Sequence, residues 1–162
     1  MRRHVVTLRP LAKGDEAELL RIHNTAQVRR WWDAPEEDFP WDEPSSTRFT
    51  IEVDGTIAGL IQYWEENDPK YRHAGIDVFV DPQLHGRGIG SAAVAQVVRL
   101  LFDERGHHRI TIDPAVANTA AIRAYEKVGF KRVGVMREAE RDVDGGGWHD
   151  ALLMELLDRE RS

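Results

Sequence analysis

Residues 80–90 read VDPQLHGRGIG, and this stretch decides which fold the rest of the chain is expected to adopt. It follows the apolar, strand-like run GIDVFV (75–80) and precedes residues 89–104, whose apolar positions have helical spacing. Gly86, Gly88 and Gly90 let backbone N–H groups converge on an anion, the helix N-terminus adds partial positive charge, and Arg87 adds a side-chain donor. The stretch therefore predicts a strand–turn–helix unit that binds an anion.

Residues 86–91 do not match the consensus sequence of either of two familiar phosphate-binding loops. A Walker loop requires Gly-Lys-Ser/Thr after the turn, and residues 86–91 contain no lysine. The dinucleotide fingerprint requires its third glycine at the position that Ser91 occupies. A purely structural glycine turn is the remaining alternative, but three alternating glycines are costly in chain entropy without a close ligand.

Working outward from this unit, apolar periodicity and turn signals predict the element order βααβββαβαββ. The strands are predicted at 4–9, 47–53, 56–64, 73–80, 108–113, 130–143 and 148–157, and the helices at 15–24, 26–32, 89–104 and 117–127. Asp54-Gly55 predicts a tight hairpin turn. The fold class is therefore α/β of the α+β type: about seven strands in a mixed, mostly antiparallel twisted sheet, flanked by about four helices, with one parallel crossover.

Length and composition bound the function. The 162 residues suit a single domain spanning 1–162, and the absence of cysteine excludes a thiol nucleophile. A net charge of −6 argues against nucleic acid as a partner. No apolar run has the length of a signal peptide or membrane span, so we expect a cytoplasmic protein without a membrane partner. The seven histidines lack metal-ligand spacing, so no metal is expected.

Two acidic segments lie beside aromatic residues. Residues 33–46 contain six acids and no base, and Glu65 and Glu66 belong to a second cluster. Trp31, Trp32 and Trp64 flank these segments. A solvated acidic loop would explain the charge, but four of the five tryptophans lie beside acid runs, which favours a cleft that binds a cation.

Two aspartates are candidates for acid–base chemistry. Asp77 lies in an otherwise apolar strand, on the face opposite Ile76 and Val78, and a lone carboxylate there is costly to bury unless it is paired or functional. It is expected either to meet a nearby arginine or to bind a substrate ammonium and take its proton. Asp113 ends the strand at 108–113, where the residues alone favour a cap for the loop that follows. Which of the two is the base remains open.

The sequence is similar to the GNAT acyl-CoA N-acyltransferases in two motifs. Residues 80–90 resemble the pyrophosphate-binding motif of that family, and residues 118–130 (NTAAIRAYEKVGF) resemble its second coenzyme A motif. His85 departs from the usual Arg or Gln. Within the family, the chain most resembles the aminoglycoside 6′-N-acetyltransferases, through Trp31-Trp32, Gly75-Ile76-Asp77 and the TIDP run at 111–114.

The resemblance implies an acetyl-CoA co-substrate and a set of roles. Asn118 would bond the pantetheine arm, Tyr125 would protonate the departing thiolate, and a backbone N–H near Val78 to Val80 would polarise the thioester carbonyl. The coenzyme A contacts that it implies are Val78, Phe79, Val80, His85, Gly86, Arg87, Gly88, Ile89, Gly90, Ser91, Asn118, Ala121, Tyr125 and Lys127. The resemblance also places Asp113 in the acceptor pocket, where it would fix a cationic amine. The acceptor contacts that we expect are Trp31, Trp32, Glu65, Glu66, Asp77 and Asp113.

These residues favour transfer of acetyl to an aminoglycoside 6′-amine by direct attack in a ternary complex, in a monomer or homodimer. A protein N-terminus, a polyamine or a siderophore precursor are alternative acceptors for the same chemistry. A coenzyme A-binding module without catalysis is the alternative of another class. His149-Asp150 is either a surface pair or an acceptor contact.

Overall fold

The computed structural model describes residues 4–161, within which seven strands and four α-helices follow one another in the predicted order. The strands are β1 (Val6–Pro10), β2 (Thr47–Val53), β3 (Thr56–Glu66), β4 (His73–Val80), β5 (Arg109–Ile112), β6 (Lys131–Arg141) and β7 (Trp148–Leu157). The helices are α1 (Glu16–His23), α2 (Ala26–Arg29), α3 (Ile89–Arg99) and α4 (Thr119–Val128). The predicted α/β class and element order are confirmed.

All seven strands form one sheet, in the order β1-β2-β3-β4-β5-β7-β6. Every neighbouring pair is antiparallel except β4 and β5, which are parallel and are connected by the crossover through α3. Asp54 and Gly55 both have positive φ, 51° and 83°, as the tight turn between β2 and β3 requires.

The sheet is covered on both faces near its centre. α3 and α4 pack on one face over a core that includes Ile61, Ile76, Val97 and Ile110. α1 and the segment around α2 cover the other face over Leu60 and Phe79, with Leu19, Ile22, Val28 and Phe39 completing that second cluster. The alternation predicted for β4 is confirmed, because Ile76 belongs to the first cluster and Phe79 to the second.

The predicted helix at 89–104 changes character before it ends. Its α-helical part stops at Arg99, and Leu100–Glu104 form a π-helical turn. The Arg105 N–H donates to Leu100 O at 3.1 Å and the His107 N–H donates to Leu101 O at 3.0 Å, so the backbone widens. The predicted helix at 26–32 is also shorter, since α2 ends at Arg29 and Trp31 and Trp32 lie in the turn that follows.

Candidate active site

A gap in the sheet sets the position of the site. The parallel strands β4 and β5 pair only at Ala74 with Ile110 and at Gly75 with Thr111. Beyond Gly75, β4 continues to Val80 paired with β3 alone, so its β5 side carries unpaired backbone groups. A cleft of about 280 Å³ opens at this gap. Its walls are Trp31, Trp32, Asp33, Gln62, Ile76, Asp77, Val78, Ile112, Asp113, Pro114, Ala115, Asn118, Ala121, Tyr125, Glu140 and His149.

Asp77 projects into this cleft from β4 and has no direct arginine partner within residues 4–161. Its Oδ2 accepts a hydrogen bond from Gln62 Nε2 at 3.0 Å, and Gln62 Oε1 accepts one from Arg48 Nε at 2.7 Å. Burial raises the pKa of Asp77, while the Gln62 hydrogen bond and the charge of Arg48 oppose that rise. A carboxylate with a raised pKa and an amide partner can take up a proton near neutral pH more readily than a salt-bridged one.

Asp113 follows the last residue of β5 and faces Asp77 across the gap. It is open to the water of the cleft, yet loss of hydration between the cleft walls raises the pKa of Asp113 to about 6, with the charges of Asp77 and Glu140 adding to the rise. Pro114 O accepts a hydrogen bond from Leu152 N at 2.8 Å, which ties the segment after Asp113 to β7. The two carboxylates therefore lie in one electrostatically coupled group.

Asn118 and Tyr125 reach the cleft from α4. Asn118 is the N-cap of this helix, and its Oδ1 accepts a hydrogen bond from Ala121 N at 3.3 Å. Tyr125 lies two turns later, buried with its ring edge-on to Phe130 at 6.4 Å. Burial raises the pKa of Tyr125, followed by the charges of Asp77 and Asp113, so the phenol stays protonated at neutral pH. It is available as a proton donor on the cleft wall.

The glycine turn forms a cradle of donors at the end of β4. Gly86 and Gly88 have φ of 78° and 74°, and Gly88 is the N-cap of α3, so the N–H groups of the first helical turn are directed into the loop. A Cβ built on Gly88 would lie 3.8 Å from Lys127 Nζ, which places an ammonium beside the cradle. His85 Nε2 lies 3.0 Å from Val80 O and ties the turn to the strand. These groups fit a pyrophosphate.

Two tryptophans form the wall opposite α4. Trp32 packs edge-on against Phe79, with centroids 5.1 Å apart, and Trp31 packs edge-on against His149 at 6.5 Å. Asp33 follows them, and Glu140 enters from β6. With Asp77 and Asp113, four carboxylates line the cleft, and in the described part of the chain the lining includes no lysine or arginine. The electrostatics favour a cationic ligand.

Glu65 and Glu66 do not reach the cleft, although Trp31, Trp32, Asp77 and Asp113 do. Side chains alternate along β3, so Glu65 lies on the α3 face of the sheet, where it pairs with Arg105 at 2.8 Å and His107 at 2.6 Å. Glu66 is exposed at the last position of β3, opposite His73. Both acids were assigned to the cleft because they follow Trp64 in the sequence. Alternation explains only the error at Glu65, because Glu66 lies on the same face as Gln62 but four residues further along β3.

Three residues of the cleft were missed by sequence reasoning or left undecided by it. Gln62 lies opposite Asp77 in the β3–β4 register, which a strand alignment would have identified. Glu140 is directed by a bulge in β6 between Met136 and Glu140 that no sequence signal marks. His149 lines the cleft and pairs with Asp142 at 2.8 Å, so it is not only a surface residue.

The Acetyltransferase (GNAT) family profile matches residues 16–130 of this chain. The chain belongs to the GNAT acetyltransferase family. GNAT enzymes use acetyl-CoA, and this protein is an acetyl-CoA-dependent N-acetyltransferase of GNAT type. Among residues 4–161, no group of three or more His, Asp or Glu side chains is arranged to hold a metal ion, and no helix in that range is long and apolar enough to cross a membrane.

The chain is similar in sequence to two curated relatives, and in fold to one solved structure, among others. An aminoglycoside N(6′)-acetyltransferase type 1 of Klebsiella pneumoniae is 32% identical over 97% of this chain and 87% of its own length. A spermidine N(1)-acetyltransferase of Escherichia coli K12 is 30% identical over 81% of this chain and 75% of its own. The crystal structure of aminoglycoside acetyltransferase AAC(6′)-Ib with coenzyme A and kanamycin superposes with a TM-score of 0.78 at 27% identity, covering 96% of both chains. The GNAT fold is thereby confirmed.

Proposed function

We propose that this GNAT enzyme acetylates a primary amine of an aminoglycoside, at the 6′-position. The observation that carries the proposal is the cleft at the sheet gap, which combines four carboxylates with two tryptophans. A polycationic amino sugar matches both features, because ammonium groups pair with carboxylates and sugar rings pack against aromatic faces. Acetylation would remove a charge and a hydrogen-bond donor from the antibiotic, so the enzyme would confer resistance.

The cleft residues would divide the work as follows. Asp77 or Asp113 holds the acceptor ammonium and takes its proton, directly or through water, which frees the amine for attack. Tyr125 gives its proton to the sulfur that departs. Backbone N–H groups on the unpaired side of β4, within Val78 to Val80, donate to the carbonyl oxygen as charge develops there. Asn118 lies beside the gap, where it would bond the pantetheine arm.

Acetyl-CoA, when bound, supplies an acetyl group activated as a thioester. The new nitrogen–carbon bond forms as the carbon–sulfur bond breaks, and the products are the acetamide and free coenzyme A. The ammonium loses one proton to the carboxylate, which later releases it to solvent. The amine nitrogen loses a second proton on acylation, and this proton replaces the one that Tyr125 gives to the sulfur. The glycine cradle with Arg87, Gly90, Ser91 and Lys127 would hold the pyrophosphate, while His85 holds the turn against Val80 O. Ala121 lines the cleft, where the pantetheine arm would pass. The side chains of Phe79 and Ile89 are buried in the two cores, so their contacts with coenzyme A would be made by backbone groups alone.

A polyamine is the second candidate acceptor. The spermidine acetyltransferase relative is nearly as similar as the aminoglycoside relative, and an acidic cleft suits both kinds of polycation. The two differ in shape, since a polyamine is a flexible chain without rings to lie against Trp31 and Trp32.

A thiol-release assay with acetyl-CoA tests the proposal. Kanamycin and tobramycin would be compared with an aminoglycoside bearing a 6′-hydroxyl, with spermidine and with a short N-terminal peptide. We expect rapid turnover only of the 6′-amino compounds. Preference for spermidine or the peptide would reject the aminoglycoside, and coenzyme A binding without turnover of any amine would support a non-catalytic binding module instead.

A further inference from the structure

Three polar side chains form a single row across strands β2, β3 and β4. Arg48 is the register partner of Gln62, and Gln62 is the register partner of Asp77. Arg48 Nε donates to Gln62 Oε1 at 2.7 Å, and Gln62 Nε2 donates to Asp77 Oδ2 at 3.0 Å. The hydrogen bonds therefore run in one direction, from a guanidinium through an amide to the carboxylate in the cleft.

The orientation of the Gln62 amide is determined by its neighbours. A guanidinium has only donors, so the amide oxygen must face Arg48, and the NH₂ group must then face Asp77. The Arg48 side chain is itself only 6% exposed and is fixed by two further bonds, to Asp42 Oδ1 at 2.7 Å and Pro40 O at 3.0 Å. The acidic loop of residues 33–46 is thereby fastened to the same row.

The Gln62 amide lies between the Arg48 guanidinium and the Asp77 carboxylate, so the two charged groups make no direct contact. A direct Arg–Asp pair would hold the carboxylate ionised and make it a poor proton acceptor. Through Gln62, one carboxylate oxygen is fixed by a neutral donor, and within residues 4–161 the other, Oδ1, has no hydrogen-bond partner. The charged or titratable groups around Asp77 are Arg48, Glu43, Asp113, Tyr125 and Glu140, and Asp33 and His149 line the same cleft.

We propose that Gln62 and Arg48 are positioning residues that fix the Asp77 carboxylate for proton transfer from the acceptor ammonium. The inference rests on the role of Asp77 in the proposed function. The same arginine connects the acidic loop to the proton acceptor, because the Arg48 guanidinium binds both Asp42 in the loop and the Gln62 amide that holds Asp77.

The pH profile of kcat/KM tests this role, measured with whichever amine is turned over fastest. Gln62→Met removes the donor with little change in volume, and the acidic limb of the profile should move to higher pH because the ionised carboxylate has lost its hydrogen bond. Gln62→Glu should move the limb further in the same direction, since it also adds negative charge. At pH 6.5, kcat should fall about tenfold in Gln62→Met, which corresponds to about 1.4 kcal/mol, while KM for acetyl-CoA stays unchanged.

Gln96→Met is the matched control. Gln96 makes one comparable amide hydrogen bond, to Val6 O at 2.8 Å, but lies on α3 outside the cleft, so its pH profile should match that of the wild type. Arg48→Met should shift the limb in the same direction as Gln62→Met. If Arg48→Met fails to fold, the two Gln62 variants decide the question.

The variant Asp77→Asn distinguishes failure of the base role of Asp77 from failure of the positioning role of Gln62 and Arg48. Loss of activity in Asp77→Asn together with an unmoved limb in folded Gln62→Met and Gln62→Glu would overturn the positioning role and leave the base intact. Wild-type activity and an unchanged profile in Asp77→Asn would overturn the base assignment and this inference with it. Turnover of spermidine but not aminoglycosides would reject only the acceptor.

Discussion

At the residue scale, Asp113 lines the cleft, and its raised pKa should have a measurable effect on stability. The pKa of Asp113 is raised to about 6, whereas an unfolded chain has an Asp pKa of about 3.9. The folded protein therefore binds this proton more tightly, and the contribution of Asp113 to the free energy of unfolding falls as pH rises from about 4 to about 6. Asp113→Asn removes this penalty, so its melting temperature should exceed that of the wild type at pH 7.5 and approach it near pH 4. A melting temperature of Asp113→Asn below that of the wild type at pH 7.5 would contradict the destabilising effect that we assign to the ionised Asp113 carboxylate.

The contribution of the Tyr125 hydroxyl group can be measured separately from that of its packed ring, because Tyr125→Phe removes only the hydroxyl. Tyr125→Phe keeps the ring against Phe130 and loses only the phenolic hydroxyl group, so kcat should fall by about 10²-fold while KM for the amine changes little. Tyr71→Phe is the matched control, because Tyr71 is exposed and distant from the cleft lining. Steady-state kinetics check both, and a Tyr125→Phe enzyme with normal kcat would remove Tyr125 from the chemistry.

At the scale of elements, the glycine cradle before α3 depends on the positive φ angles of Gly86 and Gly88. Gly88→Ala would find room, since its Cβ would meet only Lys127 Nζ at 3.8 Å and Ser91 Oγ at 3.9 Å. The cost comes from φ of 74°, about 1–2 kcal/mol for a residue with a side chain. KM and Kd for acetyl-CoA should rise while KM for the amine stays near wild type, as calorimetry and kinetics would show. Gly134→Ala in β6, where φ is not positive, should change neither constant.

Local signals explain which elements could be predicted. The Asp54-Gly55 turn, β4, β7 and the glycine turn each depend on neighbouring residues, and Asp77 stands out as a lone carboxylate on one of these strands. Asp113, Asn118 and Tyr125 were assigned to the site through the resemblance to GNAT motifs, because nothing in their own neighbourhood separates a site role from a cap or a core position. The position of Glu140 depends instead on a bulge with Glu138 at φ of 48°, and that of Gln62 on strand register. Glu65 was assigned by its neighbours in sequence, whereas strand alternation places it on the opposite face.

At the scale of the whole molecule, one buried carboxylate joins β1, β2 and the start of α1. Asp15 accepts two hydrogen bonds from Arg9 at 2.8 Å and others from Thr50 Oγ1 and Ala12 N at 2.9 Å. The Arg9 contacts and these donors lower the pKa of Asp15 to about 2. Its stabilisation is therefore complete above about pH 4 and is lost as pH falls towards about 2, and amounts to about 2–3 kcal/mol.

Asp15→Asn should consequently lower the free energy of unfolding in urea at pH 7 by at least about 2 kcal/mol, with a smaller difference at pH 2.5. Asp38→Asn, at an exposed position in the acidic loop, should leave the free energy of unfolding unchanged at both pH values. Equal destabilisation of Asp15→Asn at both pH values would show that its contribution is packing and not charge.

The two-pair seam between β4 and β5 also affects where the molecule exchanges its amide hydrogens with solvent. In most sheets the innermost strands are the best protected, because both of their edges are bonded. Here β4 beyond Gly75 and β5 beyond Thr111 have no partner strand on the sides that face each other, and the cleft opens between them. The slowest amides should therefore lie away from the gap, in β2 and β3 on one side and β7 on the other, and the middle of the sheet should behave as a boundary between two separately protected blocks.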